Sequence, residues 1–361
     1  MARKLRGQGM RMAEMEAIRF GIVGCGTASI PVCEAINASP LMELTAVYDV
    51  NQDLARDLGQ RYQARVMESL GELLSNSEVD VVYIAVPHHL LASLTKQTLE
   101  AGKHVLTEKP LAISLEDVDA LIALANEREL TLGVYYEMRY APAHTPAREL
   151  IQAGAIGNII GVQIQTLIDK PLTYWQSGYA PRSVNPWRGI KAQAGGGVVL
   201  MNTSHLLDAV GYVTGLIVTN VSAEIATLAA DVEVEDMATA TLRFNNGAIG
   251  SLIAGAHIRG AHEEEFCVVY GTQGQLRLPD PYSSNPLRLF LNCNWGSFTA
   301  GQWHIIPTES VHVHQLALED FARSVRSRQS APINGQAARQ VLAIVLAIYR
   351  SAIEKKNISL I

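Results

Sequence analysis

Two glycines, Gly24 and Gly26, follow a short apolar run, Ile18 to Val23, and precede Thr27, Ala28 and Ser29. A strand that turns into a helix through such a corner is suited to one chemistry. The first glycine permits the tight turn and the second lets the backbone approach a pyrophosphate. The helix N-terminus then offers free N–H groups and a partial positive charge to that anion. Ser29 takes the place of a third glycine, so the helix must tolerate a small side chain where it meets the strand. Asp49 ends the next apolar run, Leu44 to Tyr48. A carboxylate there accepts both hydroxyls of an adenosine ribose and repels a 2′-phosphate. Val50 and Asn51 follow it in place of any Arg or Lys, so NAD is favoured, with NADP the alternative. In the plainer reading the glycines are ordinary turn residues and Asp49 is a helix cap.

Two more segments carry titratable groups. Thr107-Glu108-Lys109-Pro110 closes a predicted strand, and in open parallel sheets ligands bind beyond the carboxyl ends of the strands. Pro110 restricts Lys109 to extended geometry, so its ammonium has a fixed direction and can hydrogen-bond a substrate hydroxyl. The second segment runs from Gly195-Gly196-Gly197 through Met201, Asn202 and His205 to Asp208. On a helix, Asn202 and His205 share a face, as do Met201 and His205, and Asp208 is placed to orient the imidazole. A histidine can take a hydroxyl proton near neutrality; the alternative is a satisfied core histidine. Between these segments, 170–195 is a long loop rich in aromatic residues. Trp175 and Tyr179 are candidates to stack on the apolar face of a sugar, or else they pack the loop. Arg139 and Tyr140 are candidates for the cleft wall. His312 and His314 lack metal spacing and read as solvated residues at a helix start, so no metal site is expected.

These residues need elements to hold them. Over 18–140, apolar runs at 18–23, 44–48, 79–86, 104–107 and 131–135 alternate with helical stretches at about 29–38, 51–62, 90–101 and 114–129. Such alternation with short links predicts a doubly wound parallel sheet. After about residue 140 the rhythm changes. A helix at 142–153 precedes strand-like segments at 159–168, 217–227, 236–244, 247–255 and 265–270, and Asn245-Asn246-Gly247 is a hairpin signal between two of them. Helices return at 312–328 and 336–354. The expectation is an α/β domain over 18–140 and an α+β domain with a mostly antiparallel sheet over 141–361, its last helices packing back on the first domain.

Composition narrows the class. The 361 residues predict about two domains. With 29 Lys and Arg against 35 Asp and Glu the net charge is −6, which does not suit a nucleic-acid partner. Cys25, Cys33, Cys267 and Cys293 form no CxxC pair, which fits a reducing cytoplasm. No run of 18 apolar residues occurs, so no membrane span is expected. Residues 1–17 lack an apolar signal-peptide core and read as a loose tail, with Met1, Met10, Met12 and Met15 as candidate starts.

Taken together, the chain resembles the glucose-fructose oxidoreductase/inositol dehydrogenase/MocA (Gfo/Idh/MocA) family over nearly its whole length. The resemblance rests on the glycine corner, Ala85-Val86-Pro87-His88, Ala101 to Val105, Glu108-Lys109-Pro110, Trp187-Arg188, Gly195 to His205 and Tyr270 to Gly274. It implies an N-terminal Rossmann domain beside a domain with a large open-faced sheet that supports homodimers or homotetramers. It implies reversible oxidation of a secondary alcohol on a sugar, polyol or sugar derivative. It puts Lys109 and His205 at the reacting carbinol, makes the Lys109–Pro110 bond cis, and turns Pro87, His88, Glu108, Trp187 and Arg188 toward the cofactor. Three positions depart from the family. Met201 stands where many members have Asp, His88 and Leu91 replace an Asn and a His, and Ser29 replaces a glycine. Methionine exchanges no proton, so a Lys–Asp–His triad does not carry over, and Asn202 is left as a candidate for a substrate hydroxyl. Two rival readings share the fold: a lyase or glycosidase that borrows the hydride and returns it, and a cofactor sensor without catalysis.

Overall fold

The computed structural model describes residues 16–178, 182, 184–261, 264–283 and 285–360. The expected tail therefore lies outside the described residues except for Glu16 and Ala17. The first half alternates strand and helix: β1 (Ile18–Val23), α1 (Ser29–Ala38), β2 (Met42–Tyr48), α2 (Gln52–Tyr62), β3 (Arg65–Val66), α3 (Leu70–Ser75), β4 (Val81–Ile84), α4 (His88–Glu100), β5 (His104–Glu108), α5 (Leu115–Glu127) and β6 (Leu132–Tyr135). The strands are short and apolar, and β4 is buried at every residue, as in a sheet covered on both faces. Asn51, Ser69 and Ser114 start α2, α3 and α5 by accepting an N–H of the first turn. The six strands are parallel, in the order β3-β2-β1-β4-β5-β6. Strand order reverses between β1 and β4, so the loops leaving them part and open a crevice at the carboxyl edge. Gly24, Asp49, Pro87, Lys109 and Glu137 all lie just past strand ends on that edge.

The 3-10 turn Glu137–Tyr140 and α6 (His144–Gln152) lead into the second half. There follow β7 (Ile159–Leu167), α7 (Tyr174–Ser177), α8 (Lys191–Ala194), a π-helical turn Val199–Thr203 that continues into α9 (Ser204–Thr214), and β8 (Val218–Ala226). Next come β9 (Met237–Phe244), β10 (Ile249–Gly255), β11 (Glu264–Gly271), β12 (Gly274–Leu278), β13 (Leu287–Leu291), β14 (Trp303–Ile306), α10 (Val313–Ser327), α11 (Gly335–Glu354) and β15 (Ile358–Ser359). Nine strands form one sheet, β14-β13-β12-β11-β7-β10-β9-β8-β15, in which β7 and β10 are parallel and the other pairs antiparallel. In β9, Ala238, Ala240, Leu242 and Phe244 are buried while Thr239, Thr241 and Arg243 are exposed. That period of two belongs to a sheet with one face covered and one open. The predicted hairpin is present: Asn245–Gly247 joins antiparallel β9 and β10.

The last helices return to the first sheet. Leu318 and Phe321 of α10 are buried in one cluster with Phe20, Ile22 and Val81, each contributing about 2 kcal/mol of apolar burial. Helix α11 packs on β8 and α5, and its Arg339 pairs with Asp119 of α5. The four strands after residue 273 (β12 to β15), the short β3 and α3, and the four-residue α7 and α8 have no counterpart in the expected elements. The helix expected after Gly197 begins instead as a π turn, in which the register shifts by one residue.

Candidate active site

The glycine corner is built for close approach. Gly24 has φ +94°, and a Cβ there would lie 2.2 Å from the Ala85 carbonyl oxygen of the neighbouring strand end. Ser29 is buried and its hydroxyl donates to the Gly24 carbonyl, so the small side chain in the third position stitches helix to turn. Asp49 Oδ2 accepts from the Cys25 N–H and Oδ1 from the Asn51 N–H, each at 2.7 Å. Both oxygens retain a lone pair for a further donor. Helix α1 has no side-chain cap and no acid in its first turn, and a Cβ at Gly26 would meet nothing within 4 Å. An open, uncapped helix end with a carboxylate at the next strand end fits a dinucleotide phosphate and ribose. Arg182, from the long loop, donates to Cys25 O at 3.4 Å and to Asp57 at 2.8 Å, so a cation from the second half reaches this corner.

The ends of β5 and β6 and the π turn bring a second group of side chains together. The Lys109–Pro110 bond is cis, and Lys109 Nζ donates to the Met201 carbonyl in the π turn, four residues before His205. Burial lowers the Lys109 pKa, against the pull of Glu108. Glu108 accepts from the Tyr83 hydroxyl at 2.7 Å and from the Lys109 N–H at 3.2 Å. Burial pushes its carboxyl up to about 7 despite Lys109. His205 is 6% exposed, its ring edge-on to Tyr136. Burial and the Lys109 and Lys170 charges hold its pKa well below the ordinary value, so it is neutral at pH 7 and able to accept a proton. Lys170, fully buried, donates to Asn202 Oδ1 and lies 3.6 Å from the Tyr174 ring centre. Two lysines are thus held by consecutive residues of one π turn. His88 donates through Nδ1 to Ala194 O at 2.7 Å, with the Trp187 ring 4.6 Å away. Burial and Lys109 lower its pKa to about 3. Arg188 lies over the Trp187 and Tyr174 rings.

Several expected arrangements differ. Asp208 does not orient His205. The 3-10 turn after β6 delivers Arg139 to Asp208 in a two-pronged ion pair, and the acid near the imidazole is Glu137, Oε2 to Nδ1 3.7 Å. Arg139 is not free to line a substrate cleft either. It also donates to Pro332 O and lies over Tyr212, and with Asp208 it borders a separate cavity of about 160 Å3 between α9, α11 and the sheet. Trp175 is 2% exposed and its N–H donates to His257, so it packs the loop and offers no stacking face. Asn202 turns its oxygen to Lys170, whose ammonium also acts on His205. Met201 points its sulfur at the Tyr174 hydroxyl. His314 is bonded to Tyr135 at 2.7 Å and is not a solvated helix-start residue. Tyr179 lies outside the described residues. Among the described residues no group of three or more His, Cys, Asp or Glu is placed to hold a metal, and no helix is long and apolar enough to cross a membrane.

Glu137, Lys170, Arg182 and Tyr282 escaped sequence reasoning. Glu137 was within reach of it: the residue pair past β6 occupies the same edge as Glu108-Lys109 past β5. Lys170 follows β7 of the other sheet, for which no such edge rule exists. The Tyr282 hydroxyl donates to Glu137 Oε1 at 2.7 Å from a segment to which the sequence assigned no element.

The comparisons with known proteins agree with this geometry. Residues 18–136 match the model of an oxidoreductase family with an NAD-binding Rossmann fold, and residues 144–277 match the GFO/IDH/MocA C-terminal domain. The chain is similar to 1,5-anhydro-D-fructose reductase of Ensifer adhaerens, 28% identical over 92% of this chain and 96% of that one. It is 28% identical to 2,7-anhydro-N-acetylneuraminate hydratase of Escherichia coli over 75% of this chain and 70% of that one. The crystal structure of the WlbA dehydrogenase from Bordetella pertussis in complex with NADH and UDP-GlcNAcA superposes with a TM-score of 0.82 at 26% identity, covering 96% of this chain and 98% of that one. With both halves matched and the glycine corner and Glu-Lys-Pro edge in place, the chain belongs to the GFO/IDH/MocA oxidoreductase family.

Proposed function

We propose that this protein transfers a hydride between NAD and a secondary alcohol of a sugar, polyol or sugar derivative. The observation that carries the reading is the meeting of Lys109 and neutral His205 across one π turn, at the same sheet edge as the open glycine corner. The corner, through the α1 N–H groups and Asp49, holds the dinucleotide, with His88, Trp187 and Arg188 on its nicotinamide side. NAD, when bound, supplies the hydride acceptor. Lys109 hydrogen-bonds the reacting oxygen and stabilises negative charge there, and His205 takes its proton. Lys170 and Asn202 form a polar wall beside that oxygen and read a neighbouring hydroxyl. A relative named as an anhydro-sugar reductase and a structural neighbour in complex with NADH and UDP-GlcNAcA support a carbohydrate substrate. We place the domain boundary at residue 140, the homo-oligomer contact on the open face of the nine-stranded sheet, and the protein in the cytoplasm, a reducing compartment that suits four scattered cysteines with no CxxC pair.

The test is NADH formation from NAD against a panel of sugars, inositols and anhydro sugars. Turnover that falls by at least about 100-fold in Lys109→Met supports the assignment, and unchanged turnover refutes it. A second reading is favoured by Met201 and by the similarity to a hydratase: the hydride is borrowed and returned. Product formation without net NADH would select it. Cofactor binding with no turnover of any sugar would select a sensor.

A further inference from the structure

We propose that Glu137 and Tyr282 carry the substrate proton from His205 to solvent. The inference rests on the hydride-transfer reading above, in which oxidation of the alcohol leaves one proton in a buried site. His205 cannot keep it, because the imidazole is 6% exposed and faces two ammonium groups. Its Nδ1 is buried with no hydrogen-bond partner among the described residues, and the nearest acid is Glu137, Oε2 at 3.7 Å. Such catalytic contacts are often long before substrate is bound. Glu137 is itself buried, and its other oxygen accepts from the Tyr282 hydroxyl at 2.7 Å. Tyr282 is 57% exposed. Three side chains from α9, the end of β6 and the segment after β12 thus run from the reacting centre to the surface.

The steps balance. Nε2 accepts the hydroxyl proton as the Nδ1 proton passes to Glu137, so the imidazole ends neutral. The Tyr282 hydroxyl then turns its proton from Glu137 to water and releases it there as its oxygen accepts the Glu137 proton, which restores the carboxylate and the Tyr282 donor bond to it. Reduction of a carbonyl runs the path inward. The groups facing Glu137 are Lys109 and Glu108 from β5, His205 and Asp208 from α9, Tyr83 and Tyr135 from the sheet, and Tyr282. Burial raises the Glu137 carboxyl against the pull of Tyr282 and Lys109, which suits an acceptor of a proton from imidazole.

The experiment compares wild type, Glu137→Gln, Glu137→Asp and Tyr282→Phe by two readouts. The first is reduction of 1,5-anhydro-D-fructose by NADH across pH, in water and in deuterium oxide. The expected result is a loss of at least about tenfold in kcat for Glu137→Gln, with unchanged NADH affinity, a larger solvent isotope effect and loss of one limb of the pH profile. Glu137→Asp should restore that limb, and Tyr282→Phe should show a smaller loss in the same direction. The second readout is the 15N NMR spectrum of histidine-labelled protein without substrate. It should show His205 protonated on Nδ1 in wild type and protonating at lower pH in Glu137→Gln. Unchanged His205 signals together with an unchanged pH profile would overturn the relay, and if Glu137→Gln does not fold, an unchanged profile in Tyr282→Phe would do so. If wild type is inactive on the sugar, the His205 signals alone decide for or against the relay, and the inactivity counts against hydride transfer instead.

Discussion

Glu108→Gln should make the protein more stable at high pH than at low pH relative to wild type. In the fold the Glu108 carboxyl, half-buried at the end of β5 beside the Tyr83 hydroxyl, is pushed up to about 7 by desolvation, whereas its ordinary value is 4.5. The folded chain therefore holds a proton that the unfolded chain has released across that window. The stability from this group is fully present below pH 4.5 and is lost as pH rises through about 7. At about 1.4 kcal/mol for each pH unit of separation, the loss comes to about 3 kcal/mol. Glutamine is nearly isosteric, still accepts from Tyr83 and cannot ionise. Urea unfolding of both proteins from about pH 4.5 to 8.5 gives the difference in free energy, in which the titration of all other groups largely cancels. That difference should move in favour of the variant by about 3 kcal/mol across the range. A difference that stays flat would refute the claim that Glu108 is held protonated by burial.

Two other perturbations probe the cofactor corner and the π turn. Asp49→Ala should weaken NAD binding by about 10- to 100-fold, the value of one or two hydrogen bonds to a charged acceptor, and narrow the preference over NADP. Calorimetric titration measures both, and Asp49→Asn, which keeps an acceptor for the Cys25 N–H, separates loss of charge from loss of the turn. In Gly197→Ala a Cβ would lie 1.8 Å from the Glu235 carbonyl oxygen. Because the Glu235 carboxylate also accepts the Gly197 and Val199 N–H groups, the variant should lose about 3 kcal/mol or more in urea unfolding.

The parts of the site that local rules govern were legible. A glycine corner after an apolar run, an acid at the next strand end and a lysine fixed before proline each state their role within a few residues, and Gly24, Asp49 and Lys109 lie on the sheet edge that the alternation predicts. Partner choice was not legible. Asp208 has the helical spacing to serve His205, but Arg139 arrives first from 69 residues away, a contact that depends on the 3-10 turn after β6. The π turn is invisible to a pattern that counts in threes and fours, and the partners of Met201 and Asn202, Tyr174 and Lys170, come from outside the segment. The sequence left Trp175 open between stacking on a sugar and packing the loop, and the partner that decides it, His257, lies 82 residues on and takes its N–H. Tyr282 lies in a stretch with little periodicity, where only the assembled fold shows its reach to Glu137.

The central claim is direct hydride transfer at the Lys109–His205 centre, and deuterium tests it most directly. With NADH carrying deuterium at both C4 positions of the nicotinamide, 1,5-anhydro-D-fructose should be reduced to a product with one deuterium on the new carbinol carbon, and the rate of labelled product formation should fall by at least about 100-fold with Lys109→Met. A reduced product that contains no deuterium from the cofactor would contradict the account.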